Sequence, residues 1–235
     1  MPLIPIKDNV PTRHFPVLTV GLIVANVLVF LVYEDAGTQP GIISAVNESA
    51  YHPCEVEGSC PQVGRDWPAT IFTSMFMHAD WGHLIGNMLF LWVFGNNVED
   101  TLGRVRFLLF YVLGGLAATA AQTFVTLQYG TAEDGTIPNL GASGAISAVL
   151  GAYFLLVPFG SVLTFVPPFF FFPLPAVLYL GLYFVYQLII GGYSFLHPEA
   201  GGGVAYFAHL GGIAFGLLVA RLFAAGRPQP PRPAY

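Results

Sequence analysis

Polar and apolar positions along this chain fall into long blocks rather than into alternating patterns. Residues Phe15–Tyr33 form an apolar run of 19 with no charge. A second run covers about Trp81–Val98 and a third about Phe107–Leu127. Residues 135–198 then carry no formal charge over 64 positions, which is too long for one helix. The Pro-rich segment Pro158–Pro175 divides that stretch into a fourth helix, about Gly141–Val157, and a fifth, about Ala176–Gly191. Glycines 201–203 precede a sixth run, Val204–Phe223. About 20 mostly apolar residues suffice to cross the hydrocarbon of a bilayer. The pattern therefore predicts six spanning helices.

Composition supports that class and excludes others. Of 235 residues, 8 are Lys or Arg and 13 are Asp or Glu, so charged side chains reach only 9% while hydrophobic ones reach 55%. A soluble domain carries about 25% charge, and disordered segments are poor in apolar residues. The net charge of −5 and the few cations argue against a nucleic-acid partner. The expected partner is the lipid bilayer.

Charge also orients the helices. Lys7, Arg13, Arg104, Arg106, Arg221, Arg227 and Arg232 fall on one side by this topology, and only Arg65 on the other. The cation-rich side is the cytoplasmic one, so both termini are expected there. Ten of the 13 acidic residues fall on the opposite side. The first apolar run is long for a secretory signal, and a retained span is expected. The predicted organisation is a cytoplasmic segment 1–14, a membrane domain 15–224 with a long outer loop 34–79, and a Pro-rich cytoplasmic tail 225–235. The tail from Arg227 reads as a disordered end. Cys54 and Cys60 lie in the outer loop, where they can close a small disulfide or stay as free thiols.

Polar side chains inside a bilayer are expensive and mark functional sites. Here they are Asn26, His83, Asn87, Gln122, Ser143, Ser147, Gln187 and His209. By the predicted topology His83 and Asn87 start the second helix, Ser143 starts the fourth, and His209 sits about two turns into the sixth. Three helices thus bring polar groups to one depth near the outer face. Ser143 is flanked by Gly141 and Gly144, so its hydroxyl is accessible and backbone N–H groups surround it. Small residues recur at helical spacing as Gly144, Ala148, Ala152 and as Ala208, Gly212, Gly216, Ala220. Such ladders let backbones approach closely, which brings His209 within reach of Ser143 as a general base. No Asp or Glu lies in either helix, so the chemistry is that of a Ser–His dyad. His83 and Asn87, four apart on one face, can donate to an oxyanion. His78 reads as structure ahead of the second helix. No metal motif is present and no cofactor is called for.

These motifs resemble the rhomboid family of intramembrane serine proteases. The resemblance rests on His83-x-x-x-Asn87, on Gly141-Ala-Ser143-Gly144, on Ala208-His209-x-x-Gly212-x-x-x-Gly216, and on Phe72–His78 ahead of the second helix. It covers roughly residues 10–224. It implies an all-α membrane protein, a six-transmembrane-helix bundle of rhomboid type, bacterial in kind. It also implies Ser143 as nucleophile, His209 as base, and His83, Asn87 and the Ser143 N–H as oxyanion stabilisers. Substrates would be transmembrane proteins with helix-destabilising residues near the cut. The fifth helix and the loop Gly191–Gly203, with its five glycines, would gate access. Two positions depart from the family pattern. Ala69 and Thr70 stand where a Trp-Arg pair is common, and Ser147 stands where an aromatic often stacks on the base. The expected function is serine endopeptidase activity in a multi-pass protein of a bacterial plasma membrane. A catalytically inactive client-binding protein and a small transporter are the alternatives; the apolar cytoplasmic halves Ala148–Val157 and Ile213–Ala220 speak against a transport path.

Overall fold

A computed structural model describes residues 3–60, 67–196 and 205–233. Helices dominate. In chain order the elements are β1 (Ile4–Asp8), α1 (Val17–Leu28), α2 (Gln39–Ser49), α3 (Trp67–Ser74), α4 (Trp81–Phe90), α5 (Asn96–Leu102), α6 (Arg104–Tyr129), α7 (Ser143–Leu156), β2 (Ser161–Val166), β3 (Phe170–Pro175), α8 (Ala176–Leu196) and α9 (Tyr206–Phe223). Helix α1 continues through a π-helical turn to Tyr33, and another, Leu91–Gly95, joins α4 to α5. Among the described residues α6, Ala176–Tyr193 and α9 are long and apolar enough to cross a membrane, and Val17–Tyr33 and α7 are shorter apolar helices.

Close backbone packing sets the centre of the bundle. Helices α7 and α9 meet along the predicted small-residue ladders. A Cβ on Gly212 would overlap the Gly144 carbonyl oxygen, and one on Gly216 would overlap that of Ala148. A Cβ on Gly151 would come within 2.7 Å of the Ile213 carbonyl oxygen. Helix α6 closes the third side: a Cβ on Gly211 would overlap that of Ala121, and one on Gly144 would stand 2.6 Å from that of Ala118. In lipid such packing replaces the hydrophobic drive that water would supply. Larger side chains, among them Phe94, Phe107, Phe110, Tyr111 and Tyr153, fill the core around this seam.

The expectation of an all-α protein needs one correction. The Pro-rich segment after α7 forms an antiparallel hairpin, β2–β3, and β1 adds to it in the order β1-β2-β3. The physical reason lies in the prolines. Pro158, Pro167, Pro168, Pro173 and Pro175 deny a helix its hydrogen bonds, and the freed backbone groups pair with each other and with Ile4–Asp8. The N-terminal segment is thereby tied to the fold rather than loose.

Three carboxylates, Glu99 and Asp100 buried and Asp8 half-buried, reinforce that tie. Asp8 accepts from Asn97 Nδ2 and the Tyr153 hydroxyl, both at 2.6 Å. Glu99 caps the start of α1, accepting from Leu18 N, Thr19 N and Thr19 Oγ1 at 2.7–3.0 Å. Asp100 accepts from the backbone N–H of Arg13 and His14 and pairs with the Arg13 guanidinium at 2.9 Å. These are the only three acids placed by the charge pattern on the cation-rich side. At the other terminus Arg227 donates to the Thr101 carbonyl oxygen, so the Pro-rich tail is anchored where it begins.

The seam admits a direct test. Replacing Gly216 by Val forces a side chain into the Ala148 backbone, and overpacking of this kind costs about 1–3 kcal/mol or more. Thermal unfolding in detergent should show Gly216→Val well below wild type, while Gly181→Val, at an open position on α8, should unfold close to wild type.

Candidate active site

Ser143 is the first residue of α7, and the chain reaches it through a turn that requires glycine. Gly141 has φ +117°, and a Cβ there would stand 2.8 Å from both Cε1 and Nε2 of His83. Its own N–H is held by the Ser74 carbonyl oxygen at 2.8 Å. No side chain caps α7. The first intrahelical bond runs from Ile146 N to Ala142 O, so the N–H groups of Ser143, Gly144 and Ala145 precede it. A helix start of this kind presents donors and a positive partial charge.

His209 comes from the first turn of α9. The helix begins at Tyr206, so His209 lies nearer its start than the two turns read from sequence, and its depth matches that of Ser143 more closely. The seam holds the two side chains together: His209 Nε2 and Ser143 Oγ are 2.9 Å apart. His209 Nδ1 lies 3.1 Å from Gln187 Oε1 on α8. Gln187 stood among the intramembrane polar residues of the sequence, but nothing in its spacing linked it to His209.

His83 and Asn87 project from α4 into the same cavity, which measures about 650 Å³ and includes Ser143 and His209 in its wall. Ala79 N donates to His83 Nδ1 at 3.4 Å. That contact leaves the ring proton on Nε2, the atom beside Gly141. Asn87 Nδ2 is buried without a hydrogen-bond partner. Buried donors are nearly always satisfied, so an orphan aimed into a cavity is a donor waiting for an acceptor. The structure thus gathers Ser143, His209, His83, Asn87, Gly141 and Gly144 at one place. Apolar Phe90, Ile146 and Leu150 line part of the wall with Tyr183.

His78 does not join the cavity. It is fully buried, both ring nitrogens lack partners, and its ring packs edge-on against His83 with centroids 5.0 Å apart. Burial, aided by the nearby His83, pushes its imidazole down to about 3, so it is neutral. Its backbone N–H donates to both oxygens of Glu34, at 2.9 and 3.1 Å. Glu34 follows α1 directly, so this carboxyl ties the end of the first helix to the segment that carries His83.

The outer loop is anchored without the family's Trp-Arg pair. Thr70 donates to Glu55 Oε2 at 2.6 Å, and His52 N donates to Glu55 Oε1 at 3.1 Å. Cys54 and Cys60 form a disulfide. Tyr51 O accepts from Asn139 N at 2.7 Å, which links the loop to the segment leading into Ser143. The proposed gating loop is only partly described: Gly191 and Gly192 belong to α8, whereas residues 197–204, with Glu199 and glycines 201–203, lie outside the described residues, as does Arg65.

A helical bundle that joins a serine at an open helix start to a half-buried imidazole defines a class: a helical protein with a Ser–His site set among apolar helices. Within that class, the chain belongs to the rhomboid family, since residues 66–226 match the family model described as Rhomboid domain. Among its relatives are Rhomboid protein 1, mitochondrial, of Saccharomyces cerevisiae, 32% identical over 63% of this chain and 40% of that protein. RHOMBOID-like protein 12, mitochondrial, of Arabidopsis thaliana is 30% identical over 67% of this chain and 47% of its own length. Presenilin-associated rhomboid-like protein, mitochondrial, of Homo sapiens is 29% identical over 84% of this chain and 46% of its own length. The chain therefore spans less than half the length of these relatives. All three are named as mitochondrial proteins, and nothing in these likenesses supports a bacterial plasma membrane.

Two outcomes follow from this geometry. Gly141→Ala combines a disfavoured φ with a clash against His83, and should abolish labelling of Ser143 by a fluorophosphonate in protein that remains folded. Glu34 gives a pH signature. Burial pushes its carboxyl up from 4.5 to about 7, partly offset by the His78 N–H. A carboxyl whose folded value is raised favours the native state below pH 4.5, and that stabilisation is lost as pH rises through 7. The unfolding midpoint of wild type should fall relative to Glu34→Gln across that interval; parallel curves would contradict the assignment.

Proposed function

We propose that this protein is an intramembrane serine endopeptidase that cleaves transmembrane segments of other membrane proteins through a Ser143–His209 dyad. The observation that carries this reading is the 2.9 Å contact between His209 Nε2 and Ser143 Oγ at an uncapped helix start. His209 Nε2 takes the hydroxyl proton as Ser143 Oγ attacks the scissile carbonyl carbon. The oxyanion that forms accepts from the Ser143 N–H, His83 Nε2–H and Asn87 Nδ2–H. Collapse of the tetrahedral intermediate breaks the peptide C–N bond, and His209 gives its proton to the leaving amine. Water, deprotonated by the same imidazole, then releases the acyl group from Ser143 and restores the site.

The membrane setting is part of the same reading. We place six spans at α1 with its π turn, at α4 through α5, and at α6, α7, α8 and α9. The domain limits are 1–14, 15–224 and 225–235, with both termini on the cation-rich side. Seven of eight cations on one side support this orientation. The cavity then opens toward the opposite face, from which water reaches Ser143. The names of the relatives direct the search for its location to a mitochondrial membrane. Lipid and transmembrane protein substrates are the partners; nucleic acid is not one.

Purified protein incubated with a reporter carrying a transmembrane segment should cut it, and Ser143→Ala and His209→Ala should leave it intact. Asn87→Ala should lower kcat on the order of 10²-fold, the loss expected for one oxyanion donor. Equal cleavage by wild type and Ser143→Ala would sink the mechanism and leave a client-binding protein as the better description.

A further inference from the structure

The far edge of the His209 ring makes a contact that the proton transfers above do not use. Gln187 Oε1 lies 3.1 Å from His209 Nδ1, while Nε2 on the other edge is 2.9 Å from Ser143 Oγ. Gln187 sits on α8 and is only 4% exposed. An amide buried among apolar helices is costly unless hydrogen-bonded, so this contact matters to both residues.

The chemistry of a neutral imidazole gives this contact a direction. One ring nitrogen carries the proton and the other offers a lone pair. For His209 to accept the Ser143 proton, the lone pair must be on Nε2 and the hydrogen on Nδ1. A carbonyl oxygen only accepts, so Gln187 Oε1 selects the tautomer with hydrogen on Nδ1. It also fixes the ring's rotation, since both edges are then held by helices that cross at the site. The same bond strengthens as positive charge develops on the ring during attack.

We propose that Gln187 is a positioning residue of the hydrolytic site, occupying the place that a carboxylate fills in Ser–His–Asp triads. The proposal rests on the reading of Ser143 and His209 as a hydrolytic pair. A second observation agrees with it. The residue four after the serine, where an aromatic often stacks on the base in similar proteins, is the small and buried Ser147. Orientation of His209 is supplied instead from α8, where Tyr183, one turn before Gln187, interacts with the Gln187 side chain. Helix α8 is thereby part of the catalytic unit: the base is held in its working tautomer only while α8 is docked on α9.

The test uses the full chain in detergent with two substitutions of contrasting chemistry. Gln187→Met keeps length and volume but has no oxygen acceptor; Gln187→Glu keeps an oxygen at the same reach. For Gln187→Met we expect kcat on a transmembrane reporter to drop tenfold or more with KM within twofold, and fluorophosphonate labelling of Ser143 to slow by the same factor. Gln187→Glu should retain labelling within a few-fold of wild type. Nitrogen-15 NMR of histidine-labelled protein should show His209 protonated at Nδ1 in wild type and shifted toward Nε2 in Gln187→Met. Wild-type rates in Gln187→Met would overturn the proposal, as would equal loss in both variants, which marks a packing role. A wild type that neither labels nor cleaves would overturn the hydrolytic reading instead, and the His209 tautomer would still decide the role of Gln187.

Discussion

The approach of α7 to α9, backbone against backbone, is the constraint from which the site follows. Gly212 and Gly216 face the carbonyl oxygens of Gly144 and Ala148, with no room for a Cβ. Two helices held this closely leave their first residues side by side. That is why a serine at the start of one and a histidine in the first turn of the other stand 2.9 Å apart. A rotation of α9 sufficient to admit one methyl would carry the imbalance directly to the Ser143–His209 contact. The ladder and the Ser143–His209 contact are one structural feature seen at two depths.

Both ends of the bundle are pinned by carboxyls in unlike environments. At the cation-rich end Asp8, Glu99 and Asp100 satisfy backbone and side-chain donors from the N-terminal segment, α1 and α7. Asp100 holds the chain ahead of α1 through the Arg13 guanidinium and the backbone N–H groups of Arg13 and His14. At the other end Glu34 ties the end of the first helix to the segment carrying His83, and Glu55 ties the outer loop to α3. The Glu55–Thr70 bond and the Cys54–Cys60 disulfide hold the loop where similar proteins use a Trp-Arg pair. What the position demands is an anchor between the loop and the bundle, and more than one chemistry meets that demand.

The helical character of the chain and the Ser143–His209 contact were legible because both are written in local patterns. Long uncharged runs mark helices in a bilayer, and small residues every fourth position mark the faces that meet. Ser143, His209, His83 and Asn87 fell together once the helices were placed. The sheet was not legible, because Ile4–Asp8 and Ser161–Val166 pair across more than 150 residues, and no short window records such a partnership. The prolines showed only that the segment is not helical. Gln187 was visible as a polar residue in an apolar helix, but its partner depends on how α8 leans on α9, which periodicity does not encode. The same holds for Glu34, whose hydrogen bonds to His78 span 44 positions.

The choice of an amide beside His209 follows from the scarcity of charge with which the chain begins. A carboxylate at that place would orient the imidazole more strongly, but it would have to be ionised among apolar helices. Desolvating such a charge costs several kcal/mol even after relaxation, and its attraction to the ring is realised only while the ring is positive. An imidazole ready to accept the Ser143 proton must be neutral at rest, and so would offer no compensating charge. An amide oxygen accepts the same Nδ1 hydrogen with no net charge to desolvate. It yields less stabilisation of the imidazolium, and the difference must come from elsewhere in the reaction. On the proposed mechanism the donors would be these: the open start of α7, the Nε2–H of His83 and the unpaired Nδ2 of Asn87, which lie at one cavity. A site of this construction shifts the burden from stabilising the base to stabilising the oxyanion, the division that an apolar surrounding favours.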